Sequence, residues 1–357
     1  MAAISYLYAR GNDVLNVNPP PPFIDIHITA HGSDWLWAVF SVFSILTILH
    51  GSLYGFTSKS SGFKKFLFLY PLVISAINTI AYFTYASNLG YTSTPTEFNH
   101  VTTSFNLETR QIFYVKFISW FLSWPFVLSI FEFATHTLDY NSADESLVNK
   151  LISLFQGLLM KVLATEVFVL GLLIGALIHS SYKWGYFTFA VAAQLFAMSL
   201  VFFNIWGSFR IRSGNRMAHF LIMFQLLVWL LYPIAWGLSE GGNVIQPDSE
   251  AVFYGILDLI TFGVIPAVLT WINVTTIDSG FFGNFVKERR HSHFGTEKSV
   301  GETPRHSGDT AVAGTTHMGE PMRADEPMRM DEPMRVNEPM RVDDPVVVPD
   351  ERTTMAV

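Results

Sequence analysis

Long apolar stretches alternate with short polar or glycine-rich breaks along the first three quarters of the chain. Each stretch has the roughly 20 residues that an α-helix needs to cross a bilayer. We place seven of them, at residues 34–57, 66–88, 111–136, 155–179, 185–208, 217–239 and 250–273. One such stretch could be a buried helix of a soluble protein, but seven in series favour a membrane bundle. The pattern therefore predicts an all-α membrane protein, a bundle of seven transmembrane helices.

The polar segment before the first stretch, residues 1–33, is predicted to be an extracellular N-terminal segment. Its four consecutive prolines at residues 19–22 are typical of a short polyproline II stretch. Residues 23–29 follow, in which isoleucines alternate with polar residues, and they favour a short strand or a cap over the outer face. The seven-helix domain is then expected to cover residues 34–277.

The last region, residues 278–357, is rich in charged residues, Pro, Gly, Ser and Thr. It contains a repeat of six residues, whose copies begin at Glu320, Glu326, Glu332 and Glu338. A proline every six residues interrupts any helix, and the alternating charges leave no apolar face to bury. We predict a disordered cytoplasmic tail. It is either a multivalent docking segment or a solvated spacer, and the sequence does not favour one over the other.

The distribution of basic residues predicts the orientation. One set of polar breaks contains Lys59, Lys64, Lys65, Lys150, Arg210, Arg212, Arg216, Lys287, Arg289 and Arg290. The opposite set contains Arg110 and Lys183. Because cytoplasmic loops carry the excess of Lys and Arg, the N-terminus of this multi-pass membrane protein is expected outside and the C-terminus in the cytoplasm.

Composition excludes several functional classes. Half of the residues are hydrophobic and 14% are charged, against about a quarter charged in a soluble domain. The chain has no cysteine, so it has no disulfide, thiolate metal site or cysteine nucleophile. No basic patch suggests a nucleic-acid partner, and no phosphate-binding loop, metal-ligand cluster or nucleophile–base pair suggests an enzyme. We expect no metal and no catalytic residue.

Three of the apolar stretches carry spaced aromatic and polar motifs. The third has Lys116 one turn before the pair Ser119–Trp120, with Ser123 and a proline following. The sixth reads Trp229, Tyr232, Pro233 and Trp236, and offsets of three and seven residues place the three aromatic rings on one helix face. The seventh contains Glu250, Asp258 and Phe262, and the next lysine is Lys287.

These motifs resemble those of the microbial-type (type 1) rhodopsins, over about residues 30–275. In that family a lysine one turn after an aspartate of the seventh helix holds retinal as a Schiff base, and Phe262 stands at that position. The resemblance implies a vestigial pocket that binds no covalent cofactor, and we expect no cofactor. Its residues would be Trp120, Ser123, Trp229, Tyr232, Pro233, Trp236 and Phe262. Ser119 and Ile130 stand where proton pumps of the family have carboxylic acids.

The resemblance also places a buried polar cluster in the extracellular half of the bundle, formed by Tyr82, Lys116, Ser119, Glu250 and Asp258. An unpaired carboxylate inside a membrane is costly, so Asp258 should be paired or hydrogen-bonded. We expect Lys116 as its cation and Tyr82 and Tyr232 as hydrogen-bond donors. Lys161 of the fourth stretch is expected to extend to the cytoplasmic interface.

The long loop between the third and fourth stretches and the repetitive tail look most like fungal opsin-related proteins. Their heat-shock-inducible plasma-membrane subgroup lacks the retinal lysine. The resemblance implies a non-photochemical, stress-associated regulator in the plasma membrane. Its partner would be the plasma-membrane proton ATPase or another membrane protein, reached through the tail. A light-independent proton or ion conductor and a receptor for a small apolar ligand remain alternatives. Besides the lipid bilayer, the family makes a homo-oligomer a further possible partner.

Overall fold

The computed structural model describes residues 12–57, 62–101, 107–135, 147–210 and 215–276. In these ranges seven helices are long and apolar enough to cross a membrane, so the predicted seven-helix bundle is confirmed. We call them spans 1 to 7: Ala30–Phe56, Lys64–Ala86, Val115–Thr135, Phe155–Leu177, Lys183–Phe209, Arg216–Gly241 and Pro247–Thr275. Three of the helices extend further, as Gly62–Ala86, Leu147–Leu177 and Lys183–Arg210.

Several sequence-based expectations concern residues outside the described ranges. They are the basic residues Lys59, Arg212, Lys287, Arg289 and Arg290, and the whole of the tail predicted from residue 278 onward.

Most helix ends are shifted from the predicted residues, and two of the shifts have identifiable reasons. Span 1 begins at Ala30 rather than at residue 34, because the Thr29 side chain accepts a hydrogen bond from the His31 backbone N–H and caps the helix there. Span 3 begins at Val115 rather than at residue 111, because Thr109–Phe113 form a β-strand. Apolar residues alone do not distinguish the end of a strand from the start of a helix.

A small sheet covers one end of the bundle, which we call the cap end. Strand β1 (Tyr91–Pro95) pairs antiparallel with strand β2 (Thr109–Phe113). Ile26 adds a parallel bridge to Arg110 on β2 and buries its side chain. The segment 23–29 therefore covers this end, as its alternating pattern predicts. A one-turn helix, Val14–Val17, precedes it.

The last two spans are interrupted at the positions that carry the site. Span 6 consists of helices Arg216–Trp229 and Leu231–Trp236, followed by a π-helical turn at Gly237–Gly241. Span 7 consists of Pro247–Asp258, a π-helical turn at Leu259–Val264 and Ile265–Thr276. A π turn inserts an extra residue and redirects the side chains beside it, and such turns are frequent at functional sites.

Aromatic side chains fill the centre of the bundle. Among the largest fully buried side chains of the described residues are Trp120, Trp124, Trp229, Trp236 and Tyr232. Lipid tails give no hydrophobic drive for helix association, so close packing of such rings is a main source of cohesion between spans. The core and the predicted site are thus largely the same residues.

Candidate functional site

Two carboxylates and two cationic side chains meet beneath the cap end. We call this group the ionic cluster: Arg110, Lys116, Glu240 and Glu250. Arg110 donates from Nη2 to Glu250 Oε2 at 2.6 Å, and the Lys116 amine is bound to both Glu240 and Glu250. All four residues are buried, with between 1% and 6% of their surface exposed. The formal charges balance, which is what allows four ionised groups to be buried together.

Four different segments supply the ionic cluster. Arg110 lies on β2, Lys116 on the first turn of span 3, Glu240 in the π turn of span 6 and Glu250 on the first turn of span 7. Arg110 also donates from Nη1 to Asn243 Oδ1 at 2.7 Å and to the Ile245 carbonyl at 2.8 Å. The ionic cluster therefore connects strand β2 at the cap end to spans 3, 6 and 7. Breaking the cluster would weaken the contacts among all four segments.

Asp258 forms a second buried acidic site, two turns further along span 7. Its carboxylate accepts hydrogen bonds from Tyr82 Oη at 2.6 Å, Tyr232 Oη at 2.8 Å and Trp120 Nε1 at 3.0 Å. The expectation that both tyrosines are donors is confirmed. Three donors from three different spans satisfy both carboxylate oxygens, although none of the three donors carries a charge.

The expected pairing of Asp258 with Lys116 is wrong, because Lys116 pairs with Glu240 and Glu250. Side chains on a helix tilt toward its N-terminus, and the N-terminus of span 3 is at the cap end. The amine of Lys116 therefore points away from Asp258. Ser119 takes no part in either acidic site, since its hydroxyl donates to the Lys116 carbonyl of its own helix at 2.7 Å.

Three aromatic rings lie close to one another near the middle of the bundle. We call them the aromatic stack: Trp124, Trp229 and Phe262. The rings of Trp124 and Trp229 are stacked, with centroids 4.2 Å apart and planes at 24°. Phe262 meets Trp124 edge-on, at 5.5 Å and 74°. All three residues are at most 1% exposed. Trp124 was not among the predicted pocket residues, yet it contacts both Trp229 and Phe262.

The other residues of the predicted pocket have separate partners. Trp120 and Tyr232 hold Asp258, and Ser123 accepts a hydrogen bond from Asn78 at 3.1 Å. Trp236 donates to the Leu172 carbonyl at 3.0 Å and stacks on Phe187, while Pro233 is buried within span 6. The residues of the predicted pocket therefore do not form one group, and they take part in separate contacts between helices.

A further buried ion pair lies in the half of the bundle away from the cap. Lys161 of span 4 is bound to Glu132 of span 3, and both residues are 3% exposed. Asn204 of span 5 also donates to Glu132, at 3.3 Å. The expectation that Lys161 extends to the membrane interface is wrong, because a carboxylate on the adjacent helix is within its reach.

Sequence reasoning missed Arg110 and Glu240 as members of the ionic cluster. Arg110 was counted only as a loop cation, and Glu240 was not among the predicted site residues. One signal was available for Glu240, since an acid that directly follows an apolar span is expected to find a partner. No sequence signal brings Arg110 to Glu250, because 140 residues separate them along the chain.

Comparisons with known proteins agree with this geometry. The family of bacteriorhodopsin-like proteins matches residues 32–273. The 30 kDa heat shock protein of Saccharomyces cerevisiae is 37% identical over 324 residues, covering 85% of this chain and 93% of that protein. The opsin-like protein carO of Fusarium fujikuroi is 38% identical over 275 residues, covering 74% of this chain and 82% of its own length.

A solved structure shows the same fold. The light-driven proton pump LR (Mac) of Leptosphaeria maculans has a TM-score of 0.57 and 24% sequence identity, and the match covers 71% of this chain and 99% of the pump.

The side chain at position 262 does not fit a retinal Schiff base. That bond needs a primary amine, and Phe262 offers a hydrocarbon ring instead. The contact between Trp124 and Trp229 leaves no room for a polyene between those two rings, since their centroids are 4.2 Å apart.

Proposed function

This chain belongs to the bacteriorhodopsin-like family, and from that premise we propose that it is a light-independent, stress-associated plasma-membrane protein that regulates another membrane protein. It is a multi-pass membrane protein with seven spans. Relatives described as a heat shock protein and as opsin-like proteins support the proposal. The observation that carries it is Phe262, which is buried at the position where the resemblance implies the retinal lysine.

The contacts around Phe262 support a stimulus other than light. Phe262 packs edge-on against Trp124, and Trp124 stacks on Trp229, so side chains of the protein occupy the centre of the bundle. A core filled by side chains suits a protein that acts by binding a partner rather than by changing the shape of a bound pigment. The same filling counts against a receptor for an apolar ligand in this position.

We propose the plasma-membrane proton ATPase as the regulated partner, as the resemblance to the heat-shock subgroup implies. The N-terminus would face outward and residues 278–357 would face the cytoplasm. Four similar hexapeptides in that tail offer repeated weak contacts, and linked contacts raise the overall affinity for a partner.

The first test is the absorbance spectrum of the purified protein after addition of all-trans retinal. We expect no red-shifted visible band from the natural chain or from Phe262→Lys alone, because Trp124 still stacks on Trp229 in that variant. The double variant Phe262→Lys/Trp124→Thr supplies an amine and removes the blocking ring, and should form a band. A band from the natural chain would overturn the light-independent assignment.

The second test concerns regulation. Proton extrusion by heat-shocked cells is compared among cells that lack the protein, cells with the full chain and cells with a chain truncated after residue 277. We expect the full chain to change extrusion and the truncated chain to lose that effect, while surface labelling shows equal amounts in the membrane. Identical extrusion in all three would rule out the ATPase as the partner.

A light-independent proton or ion conductor is a second candidate, favoured by buried charges in both halves of the bundle, at the ionic cluster and at Glu132–Lys161. In voltage clamp, a conductor that uses Asp258 should lose its current in Asp258→Asn. Equal currents in the variant and the natural chain would dismiss Asp258 as part of a conduction path.

A further inference from the structure

A groove on the outer surface of the bundle lies at the turn between spans 4 and 5. Its volume is about 560 Å³, within the usual range for small-molecule pockets, about 300–1,000 Å³. The turn is at the cap end, where His179 Nδ1 lies 3.2 Å from the carbonyl oxygen of Pro95 at the end of β1. We call this site the outer groove, and the residues that line it are Ile178, Ser180, Tyr182, Gly185, Tyr186 and Phe189.

The shape of the outer groove distinguishes it from an ordinary lipid-facing surface. Gly185 and Tyr186 precede Phe189 by four and three residues, so all three share one face of span 5. Tyr186 is 41% exposed and Phe189 is 72% exposed, so this face points out of the bundle. A Cβ added at Gly185 would meet no atom within 4 Å. The groove therefore has an open floor at the glycine, with aromatic side chains beside it.

The polar groups of the outer groove indicate the chemistry of its occupant. Ser180, Tyr182 and Tyr186 are exposed and carry hydroxyl groups, at the end of the bundle where tyrosines of membrane proteins meet the lipid headgroups. None of the described residues that line the groove is charged, so a phospholipid headgroup would find no charged partner there. A matching molecule is dissolved in the bilayer and has a neutral hydroxyl head and an apolar body.

We propose that the outer groove binds a sterol, with the sterol hydroxyl at the cap end and the flat ring system over Gly185. A rigid ring system loses little conformational freedom when it binds, whereas an acyl chain becomes ordered at many bonds. The missing side chain at Gly185 lets a flat molecule approach the helix backbone, and the ring of Phe189 offers it an apolar surface. This site is separate from the predicted pocket inside the bundle, and the proposal does not depend on the regulatory function proposed above.

The direct test is photolabelling of the full-length protein in phosphatidylcholine vesicles that contain cholesterol with a diazirine on its ring system. We expect saturable labelling, with the cross-links in residues 178–189. Unlabelled cholesterol should compete, and dioleoylglycerol, which has a hydroxyl but flexible chains, should not. Labelling that does not saturate, or that is spread evenly over the spans, would overturn the proposal. Equal competition by dioleoylglycerol would overturn the assignment to a sterol.

A matched pair of substitutions tests the position of the site. Gly185→Leu and Gly207→Leu make the same change near opposite ends of span 5, and an added Cβ would meet no atom within 4 Å at either glycine. Leucine also favours a helix more than glycine does, so both variants should fold. Because the leucine side chain fills the floor of the groove, Gly185→Leu should raise the half-saturating amount of the sterol by about tenfold or more, and Gly207→Leu by less than about twofold. Equal values for the two variants would overturn the proposal.

A second variant tests the role of the hydroxyl groups. Ser180→Ala/Tyr182→Phe/Tyr186→Phe removes all three hydroxyls of the outer groove and keeps its aromatic rings. The natural chain should be protected from labelling better by cholesterol than by cholestane, which has the same ring system without the hydroxyl. The triple variant should lose that preference, and an unchanged preference would contradict the proposed orientation of the sterol.

Discussion

Glu240 and Glu250 are held by cations, whereas Asp258, two turns deeper on span 7, is held by uncharged donors. In the ionic cluster the amine of Lys116 and the guanidinium of Arg110 bind the two glutamates. At Asp258 two tyrosine hydroxyls and one indole N–H point to the carboxylate. Glu250 and Asp258 lie on the same helix and are similarly buried, so the two sites differ mainly in the charge of their partners.

The difference teaches how a chain can keep acids buried inside a helix bundle in two ways. A paired charge depends wholly on its partner, since removing one ion leaves the other uncompensated in a low dielectric. An acid with several neutral donors depends on each of them less, because the loss of one leaves the others in place. The ionic cluster should therefore be the sensitive site and Asp258 the tolerant one.

The largest effect is expected from Lys116→Met. It leaves Glu240 and Glu250 with only Arg110 as a cation, and breaking a buried ion pair typically costs about 3–5 kcal/mol. The free energy of unfolding of the detergent-solubilised protein should fall by about that amount. The double variant Lys116→Met/Glu240→Gln restores the charge balance and should recover part of the loss. A loss below about 1 kcal/mol in the single variant would show that the cluster is not stabilised by charge pairing.

Asp258→Asn should have a smaller effect. The amide keeps the size of the side chain but presents an NH2 group where donors already converge, which leaves buried donors unsatisfied at a cost of about 1–3 kcal/mol. The same unfolding measurement applies. A loss as large as that of Lys116→Met would mean that Asp258 shares the charge balance of the ionic cluster, and the contrast between the two sites would fail.

Tyr82→Phe removes one of the three donors to Asp258 and little else. We expect a loss of about 0.5–1.5 kcal/mol, the usual net contribution of one hydrogen bond. Tyr232→Phe is the matched control on span 6 and should give a similar value. If either loss alone equalled that of Asp258→Asn, one donor would dominate the site.

Lys183→Met should have the smallest effect. Lys183 pairs with Glu97 at 3.2 Å, but the Glu97 side chain is 22% exposed, so solvent can replace the lost partner. We expect at most about 1 kcal/mol. A loss near that of Lys116→Met would show that depth in the bundle does not decide the strength of these pairs.

Several features of the fold and site could be predicted from the sequence. The others depend on distances between residues that are far apart along the chain, which no local sequence pattern specifies. The lengths of the apolar stretches predicted all seven spans, and the resemblance to the microbial rhodopsins predicted two of the donors to Asp258, Tyr82 and Tyr232. The predicted start of span 3 was wrong by four residues. Gln111, Ile112 and Phe113 carry no charge, so they are compatible with the first turn of an apolar helix as well as with a strand. Trp124 was not predicted as a pocket residue, because the sequence does not distinguish a second tryptophan next to a proline from an ordinary core residue.

By itself, the sequence determined that seven helices cross the membrane, that acids lie among them, and that position 262 carries no amine. Only the tertiary structure decided which acid meets which cation. A lysine side chain can reach in several directions, and the tilt of side chains toward the cap end carries Lys116 to Glu240 and Glu250 rather than to Asp258. In the same way, the stacking of Trp124 on Trp229 follows from how closely spans 3 and 6 approach, which helix packing sets and neither helix encodes alone.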